Sequence, residues 1–257
     1  MKHLIKINDA SEIDYLSYDF IVALDDNNNV FIKLPFPNNE IHYIATSKVE
    51  PYNPNAFDNA IYLESEFDEI TRKGVLKFDR DVTSIGYEAF YNCSGLITIK
   101  IPNTVTHIGH GSFMNCIKLN SITIPNSVIS IGNAAFMNCE KLSEINIFNN
   151  ITDIGEDAFI NCTSLSKVNI TDISFWCNII FATPYSNPLY YAKHLYINNV
   201  EISDLIIPNN VTSISNYAFM GCDGLISITI PNNVTSIGTS AFSECGNLTT
   251  ITLSNNL

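Results

Sequence analysis

The chain has 257 residues, a formal net charge of −13, 46% hydrophobic residues and 15% charged ones. That composition belongs to a folded chain and not a disordered one, and no apolar run approaches the ~20 residues of a membrane-spanning helix. The negative charge is shared, with eight basic against fifteen acidic side chains up to Asp81 and five against eleven beyond it; this repels phosphate backbones and anionic lipid and disfavours nucleic acid and membrane surfaces as partners.

The first residues, MKHLIKINDASEIDY, lack the apolar core of a secretory signal. Phe20 to Pro35 (FIVALDDNNNVFIKLP) reads as two β-rich runs around an Asp/Asn turn, a hairpin pattern. Asp25 to Asn29 offers oxygen ligands of the kind calcium takes, but lacks the glycine and terminal glutamate of a binding loop, so a turn is the favoured reading. Asn53 to Phe57 is a turn, and Ala60 to Phe78 can supply further strands. Residues 1–75 are therefore expected to form an all-β capping module. Leu76 and Phe78 already match the apolar spacing of the chain beyond Val82, so a leading strand is expected there.

From Val82 the chain repeats every 23 residues. Copies run Val82–Thr104, Val105–Ser127, Val128–Asn150 and Ile151–Ile173, then Val211–Asn233 and Val234–Asn256. Each reads approximately V-T-x-I-G-x-x-A-F-x-N-C-x-x-L-x-x-I-x-I-P-N-x. A period in the twenties with L-x-x-I-x-I inside it marks a leucine-rich solenoid, whose copies bury their apolar faces only against each other. Seven apolar side chains per copy contribute ~10–20 kcal/mol on burial, while ordering 23 backbone residues costs ~1–2 kcal/mol apiece. One copy alone cannot fold.

The letters assign positions. Leu96, Ile99 and Ile101 alternate as a short strand that Pro102 ends. Phe90, Phe113, Phe136, Phe159, Phe219 and Phe242 form one interior column. Cys93, Cys116, Cys139, Cys162, Cys222 and Cys245 form another, as buried thiols and not disulfides, because they point the same way. Gly86, Gly109, Gly132, Gly155 and Gly238, with Ser215 in the sixth slot, suggest the N-cap of a short α or 3-10 turn on the convex side. Asn92, Asn115, Asn138, Asn161 and Gly221 would close that turn in left-handed geometry, and Glu244 departs from the pattern. The fold class is thus an α/β leucine-rich-repeat solenoid over residues 76–257, with strands on the concave face.

Ser174 to Asn210 interrupts the repeat with 37 residues that include Trp176, Phe175, Phe181, Tyr185, Tyr190 and Tyr191. These rings are expected to pack on the flank of the stack; the alternative is an exposed loop serving as a binding anchor. His194 to Pro208 reads as a hairpin turning at Asn198-Asn199 and rejoining the ladder at Leu205 and Ile207. The final copy ends without a covering segment, so its last rung is expected to continue in a longer parent or to meet a partner.

No catalytic motif stands out. His107 and His110 lack the further ligands of a metal site, and Cys177 with His194 is the one conceivable thiol–imidazole pair, without a supporting motif. Neither cofactor nor metal is expected. The residues alternating with the inward isoleucines form the candidate binding surface: Thr98 and Lys100, Ser121 and Thr123, Glu144 and Asn146, Lys167 and Asn169, Ser227 and Thr229, Thr250 and Thr252. These are mostly small and hydroxylated, with no aromatic anchor among them.

The I-G-x-x-A-F-x-N-C-x-x-L-x-x-I-x-I-P wording over residues 76–257 resembles the BspA-like leucine-rich repeats. The F-W-C, N-P-L-Y-Y-A and L-Y-I-N segments near Trp176, Pro188 and Tyr196 resemble an insert seen in those proteins. The resemblance implies a curved, non-enzymatic solenoid used for adhesion to host or neighbouring-cell proteins or glycans, at the cell surface or outside the cell. Multivalent or homo-oligomeric display would strengthen such contacts. Neither a secretion signal nor a surface anchor is expected within these residues. The alternative is therefore a virion component of a phage of gut bacteria, attached to a capsid or other assembly through the N-terminal module.

Overall fold

The structure, a computed structural model, describes residues 4–7, 21–24, 30–33, 37–148 and 150–253. The chain separates into two units, Met1–Pro37 and Asn38–Leu257. In the first, β1 (Leu4–Ile7), β2 (Ile21–Leu24) and β3 (Val30–Lys33) form an antiparallel sheet in the order β1-β3-β2. The two runs of the expected hairpin are β2 and β3, with Ile21 opposite Lys33. The Asp25–Asn29 turn, and the calcium reading with it, lies outside the described residues.

The second unit opens with β4 (Glu40–Ala45), β5 (Tyr62–Asp68) and β6 (Lys73–Phe78). The repeats then add two strands each: β7 (Ser84–Ile85) and β8 (Leu96–Lys100), β9 (His107–Ile108) and β10 (Ser121–Thr123), β11 (Ser130–Ile131) and β12 (Glu144–Asn146), β13 (Asp153–Ile154) and β14 (Lys167–Ile170). Longer strands pair in parallel with their counterparts 23 residues on, so Thr98, Ser121, Glu144 and Lys167 line up across β8, β10, β12 and β14. Leu76 and Phe78 are buried as expected of a leading strand. Their strand does not neighbour the repeats, however. β4 lies between β6 and β8, antiparallel to both, with Ile41, Tyr43 and Ala45 turned inward.

The interior columns stand where the repeat places them. Phe90, Phe113, Phe136 and Phe159 stack at 5.2–5.3 Å between ring centroids, as do Phe219 and Phe242. All seven cysteines are free. The column thiols do more than fill space: Cys116, Cys139, Cys162 and Cys245 donate to the carbonyl of the phenylalanine one rung back, at 3.2 Å. Cys93, Cys245 and Phe242, at the first and last rungs, are only half-buried; their counterparts are buried.

The expected helical turns are absent from the repeats. Glu88 and Asn92 both take left-handed φ (52° and 57°), as do Gly111 and Asn115, Ala134 and Asn138, Asp157 and Asn161, Tyr217 and Gly221, and Ser240 and Glu244. This aims alternate amides along the stack. Glu88, Phe90 and Asn92 N–H groups donate to the His110, Ser112 and Met114 carbonyls of the next rung, while those of Ala89, Tyr91 and Cys93 close local turns. Ladder bonds to the next rung serve three of these amides and local turns the other three, so all six have partners without a helix. The glycine slot also has a different cause from the N-cap that its composition suggests. A Cβ on Gly109 would stand 2.7 Å from the Gly86 carbonyl carbon, and one on Gly132 would stand 2.7 Å from Gly109. Close rung-to-rung approach, not left-handed φ, demands glycine. At Ser215 the neighbour is the insert: its N–H meets the Cys177 carbonyl, where the Gly109 and Gly132 N–H groups meet those of Ile85 and Ile108.

The insert supplies α1 (Ile173–Trp176), β15 (Ile180–Phe181), a 3-10 turn at Pro184–Ser186, α2 (Leu189–Ala192), β16 (Leu195–Ile197) and β17 (Val200–Glu201). After it come β18 (Asp204–Ile206), β19 (Ser213–Ile214), β20 (Ser227–Thr229), β21 (Ser236–Ile237) and β22 (Thr250–Thr252). Both solenoid sheets break here. One runs β17-β16-β14-β12-β10-β8-β4-β6-β5 and the other β15-β13-β11-β9-β7, while the later repeats form β18-β20-β22 and β19-β21. Leu205 and Ile207 therefore rejoin only the later ladder; the first half of the hairpin, β16, is what extends the earlier one.

Insert side chains bridge the break. Trp176 is fully buried, so the flank-packing expectation holds for it and the exposed-anchor alternative does not. Its Nε1 donates to the Ala218 carbonyl at 2.7 Å, and Asn187 Nδ2 donates to the Tyr217 and Ala218 carbonyls at 2.6 and 3.0 Å. On the other side, the Phe159 N–H reaches the Tyr185 carbonyl and the Asn161 N–H reaches the Tyr191 hydroxyl. The polar groups that a repeat rung would have satisfied are thus met from the insert.

Candidate functional site

Strand alternation turns the candidate residues outward in two rows, but the break separates them into two surfaces. Thr98, Lys100, Ser121, Thr123, Glu144, Asn146, Lys167 and Asn169 share the nine-stranded sheet, and Ser227, Thr229, Thr250 and Thr252 share the three-stranded one. Lys100, Thr123, Thr229, Thr250 and Thr252 are exposed, and most of the rest are half-buried. Asn169 is buried. Its Oδ1 accepts from the Asn199 N–H at 2.8 Å and its Nδ2 donates to Asn146 Oδ1 at 3.0 Å, so its amide holds the hairpin and does not face solvent.

Neighbouring strands extend the first surface. On the cap side, His42 stands opposite Lys100 and Ile44 opposite Thr98. On the insert side, Tyr196 stands opposite Asn169, giving the face an aromatic ring where none was expected. The Lys167 ammonium lies 5.1 Å from that ring, donates to Asn199 Oδ1 at 2.8 Å and sits 3.8 Å from Glu144. The Tyr196 hydroxyl donates to Glu201 at 3.3 Å, and His194 Nδ1 pairs with the same carboxylate at 2.6 Å. Burial first, and then the Glu201 charge, push the Tyr196 hydroxyl pKa up, so it remains a neutral donor. The signal for Tyr196 was present in sequence. Leu195-x-Ile197 repeats the inward I-x-I spacing, but lies outside the 23-residue register.

Nucleophilic chemistry finds little support in these geometries. Burial pushes the Cys177 thiol up to about 12, while His194 is engaged on the strand face by Glu201. His107 Nδ1 contacts Thr106 Oγ1 at 2.7 Å, and His110 stacks on Tyr87, so the two rings take separate partners. A cavity of about 310 Å³ opens where the smaller sheets part, lined by Ile180, Phe181, Ile214, Ser215, Asn216, Ser236, Ile237 and Gly238. It has two serine hydroxyls and no ionisable side chain to activate them.

No curated protein matches this sequence. Among solved structures, it is similar to a leucine rich cell surface protein from Faecalibacterium prausnitzii A2-165, with 28% identity, 94% of this chain and 56% of that one covered, and a TM-score of 0.47. The chain thus spans little more than half the length of that relative. It is also similar to the T. pallidum leucine rich repeat protein (25% identity, 63% and 70% covered, TM-score 0.38). Similarity to the pneumococcal vaccine antigen PcpA is lower, at 17% identity, with 83% and 72% covered and a TM-score of 0.28. The family model for the BspA type leucine rich repeat region matches in six copies over residues 64–184 and 192–257, well over half the chain. Together with the in-register rungs, that match means the chain belongs to the BspA-type leucine-rich-repeat family.

Proposed function

We propose that the chain is a non-enzymatic attachment module, displayed at a cell surface, that holds a host or neighbouring-cell protein or glycan against its strand face. The observation that carries this reading is the register of the outward side chains. Thr98, Ser121, Glu144 and Lys167 form one line and Lys100, Thr123 and Asn146 a second, at a fixed rung spacing. Such a surface offers repeated hydroxyl, amide and charged groups to a ligand with its own repeat. Hot spots in tight one-to-one complexes are enriched in Trp, Tyr and Arg; here Tyr196 alone supplies such a ring, partly covered by Lys167. Affinity per copy is therefore low, and attachment relies on many copies acting together, which raises avidity by ~10²–10⁴ without new contacts.

The test compares monomer with an artificially linked multimer on a panel of purified matrix proteins and glycans. The multimer is expected to bind at least a hundredfold better, and Thr123→Lys with Asn146→Lys on the face should abolish the gain. Nanomolar binding by the monomer through Thr98 to Asn169 contradicts the avidity reading.

A further inference from the structure

Three tyrosines converge at one place outside the strand face, where the cap meets the turn of the first repeat. Tyr52 and Tyr91 meet edge to face at 5.0 Å, and Tyr87 stacks on His110 at 5.3 Å with an interplanar angle of 11°. Tyr52 and Tyr87 are tied through the backbone, since Asn53 beside Tyr52 donates to the Tyr87 carbonyl, and the adjacent Glu88 carboxylate pushes the Tyr87 hydroxyl pKa up. Tyr52 and Tyr87 are each 58% exposed. Large rings left this open on a folded surface, and grouped, mark an interaction site more than a packing need.

The cluster is built rigidly. Tyr52 sits in a Pro51-Tyr52-Asn53-Pro54 turn whose prolines restrict the backbone. Its N–H donates to the Ala89 carbonyl at 2.9 Å, and Asn53 Nδ2 donates to the Tyr87 carbonyl at 2.8 Å. Only the first repeat has tyrosine in both turn slots: later copies place Asn133 or Glu156 where Tyr87 stands, and Met114 or Met137 where Tyr91 stands. Tyrosine on a fixed backbone gives much contact area for little lost freedom.

The chain itself indicates what such rings accept. Tyr196 has the Lys167 ammonium at 5.1 Å and Tyr190 has that of Lys193 at 5.2 Å. Among the described residues no lysine or arginine stands over Tyr52, Tyr87 or Tyr91, while Glu88 adds a carboxylate beside them and the whole chain carries −13. Aromatic faces attract cations, and the carboxylate and the net charge act in the same direction. We propose that the Tyr52–Tyr87–Tyr91 cluster with Glu88 is a docking site for arginine or lysine side chains on a basic segment of a partner protein. It is a second surface, independent of the strand face.

The probe is a tetra-arginine peptide, set against its tetra-citrulline counterpart, which keeps shape and loses charge. Binding is measured by calorimetry and by chemical-shift perturbation on the whole chain. Arginine should bind and citrulline should not, and the charge-preserving Tyr52→Leu/Tyr87→Leu variant should weaken arginine binding roughly four- to twenty-five-fold, two- to fivefold per ring. Tyr185→Leu, at another exposed tyrosine, should leave it unchanged, and thermal melts check that each variant is folded. Equal binding of both peptides, unchanged binding by the double variant, or no binding up to about 1 mM each overturns the proposal. Thr123→Lys/Asn146→Lys should retain most of the cluster's binding, so loss of strand-face attachment alone leaves this site standing.

Discussion

Raising the pH should unfold this protein through its thiols. Burial pushes Cys162, Cys177 and Cys222 up to about 12 from an ordinary 9.0, and pushes Cys116 and Cys139 well above that ordinary value. A raised folded-state pKa means that folding holds the proton more tightly than the unfolded chain does. The stability is therefore fully present below about pH 9 and is lost as pH climbs toward about 12. In that window each thiol costs about 1.4 kcal/mol per pH unit, so Cys162, Cys177 and Cys222 together cost about 4 kcal/mol per unit. The window of about three pH units caps this loss at about 12 kcal/mol, so against a typical stability of ~5–15 kcal/mol most or all of it should be gone between about pH 9 and 12. Urea titrations followed by Trp176 fluorescence and far-ultraviolet circular dichroism, with thiolate absorbance recorded in parallel, measure this directly. The midpoint should stay level up to about pH 8.5 and then fall steeply, with thiolate appearing only as the fold is lost. Thiolate titrating near pH 9 in the folded protein, or a midpoint unchanged at about pH 10.5, would refute the buried column.

Other substitutions probe single supports of the stack. Phe136→Ala, which opens a gap between Phe113 and Phe159, should cost ~3–5 kcal/mol in urea titration, and a loss below about 1 kcal/mol would mean the column does not carry the fold. Gly132→Ala drives a Cβ to 2.7 Å from the backbone of Gly109 and His110 and should cost ~1–3 kcal/mol; Gly246→Ala, which meets only the Asp223 carboxylate at 3.1 Å, should be close to neutral by the same measurement. Trp176→Phe leaves the Ala218 carbonyl to Asn187 alone and should cost ~1–3 kcal/mol, the low end reflecting that surviving bond.

Much of this architecture was legible in the sequence because solenoid packing writes itself into a fixed period. Phe136 and Cys139 recur at every 23rd residue since each touches its own counterpart, so their columns followed from spacing alone. The turns between them were only half legible: left-handed φ was expected at Asn92, Asn115, Asn138, Asn161 and Gly221 and is found there, and Glu244 adopts it too. Glu88, Ala134 and Tyr217 have no intrinsic preference for left-handed φ; hydrogen bonds to the next rung impose it, and such bonds leave no local signature. Glycine at 109 and 132 was visible, but the reason for it was a neighbour 23 residues away. Strand β4 was missed because Ile41, Tyr43 and Ala45 alternate outside the repeat, and nothing local reveals that they separate β6 from β8. The candidate face suffered similarly. Its two rows were readable from alternation, but their division into two sheets, the burial of Asn169 and the arrival of Tyr196 all depend on where the insert folds back.

Attachment through the strand face is tested most directly by linking the chain into a multimer and measuring its binding to matrix proteins and glycans beside that of the monomer. Avidity predicts a gain of at least a hundredfold for the multimer, erased by Thr123→Lys/Asn146→Lys and retained by Tyr185→Leu. Equal binding by monomer and multimer, or a gain untouched by the strand-face substitutions, would contradict it.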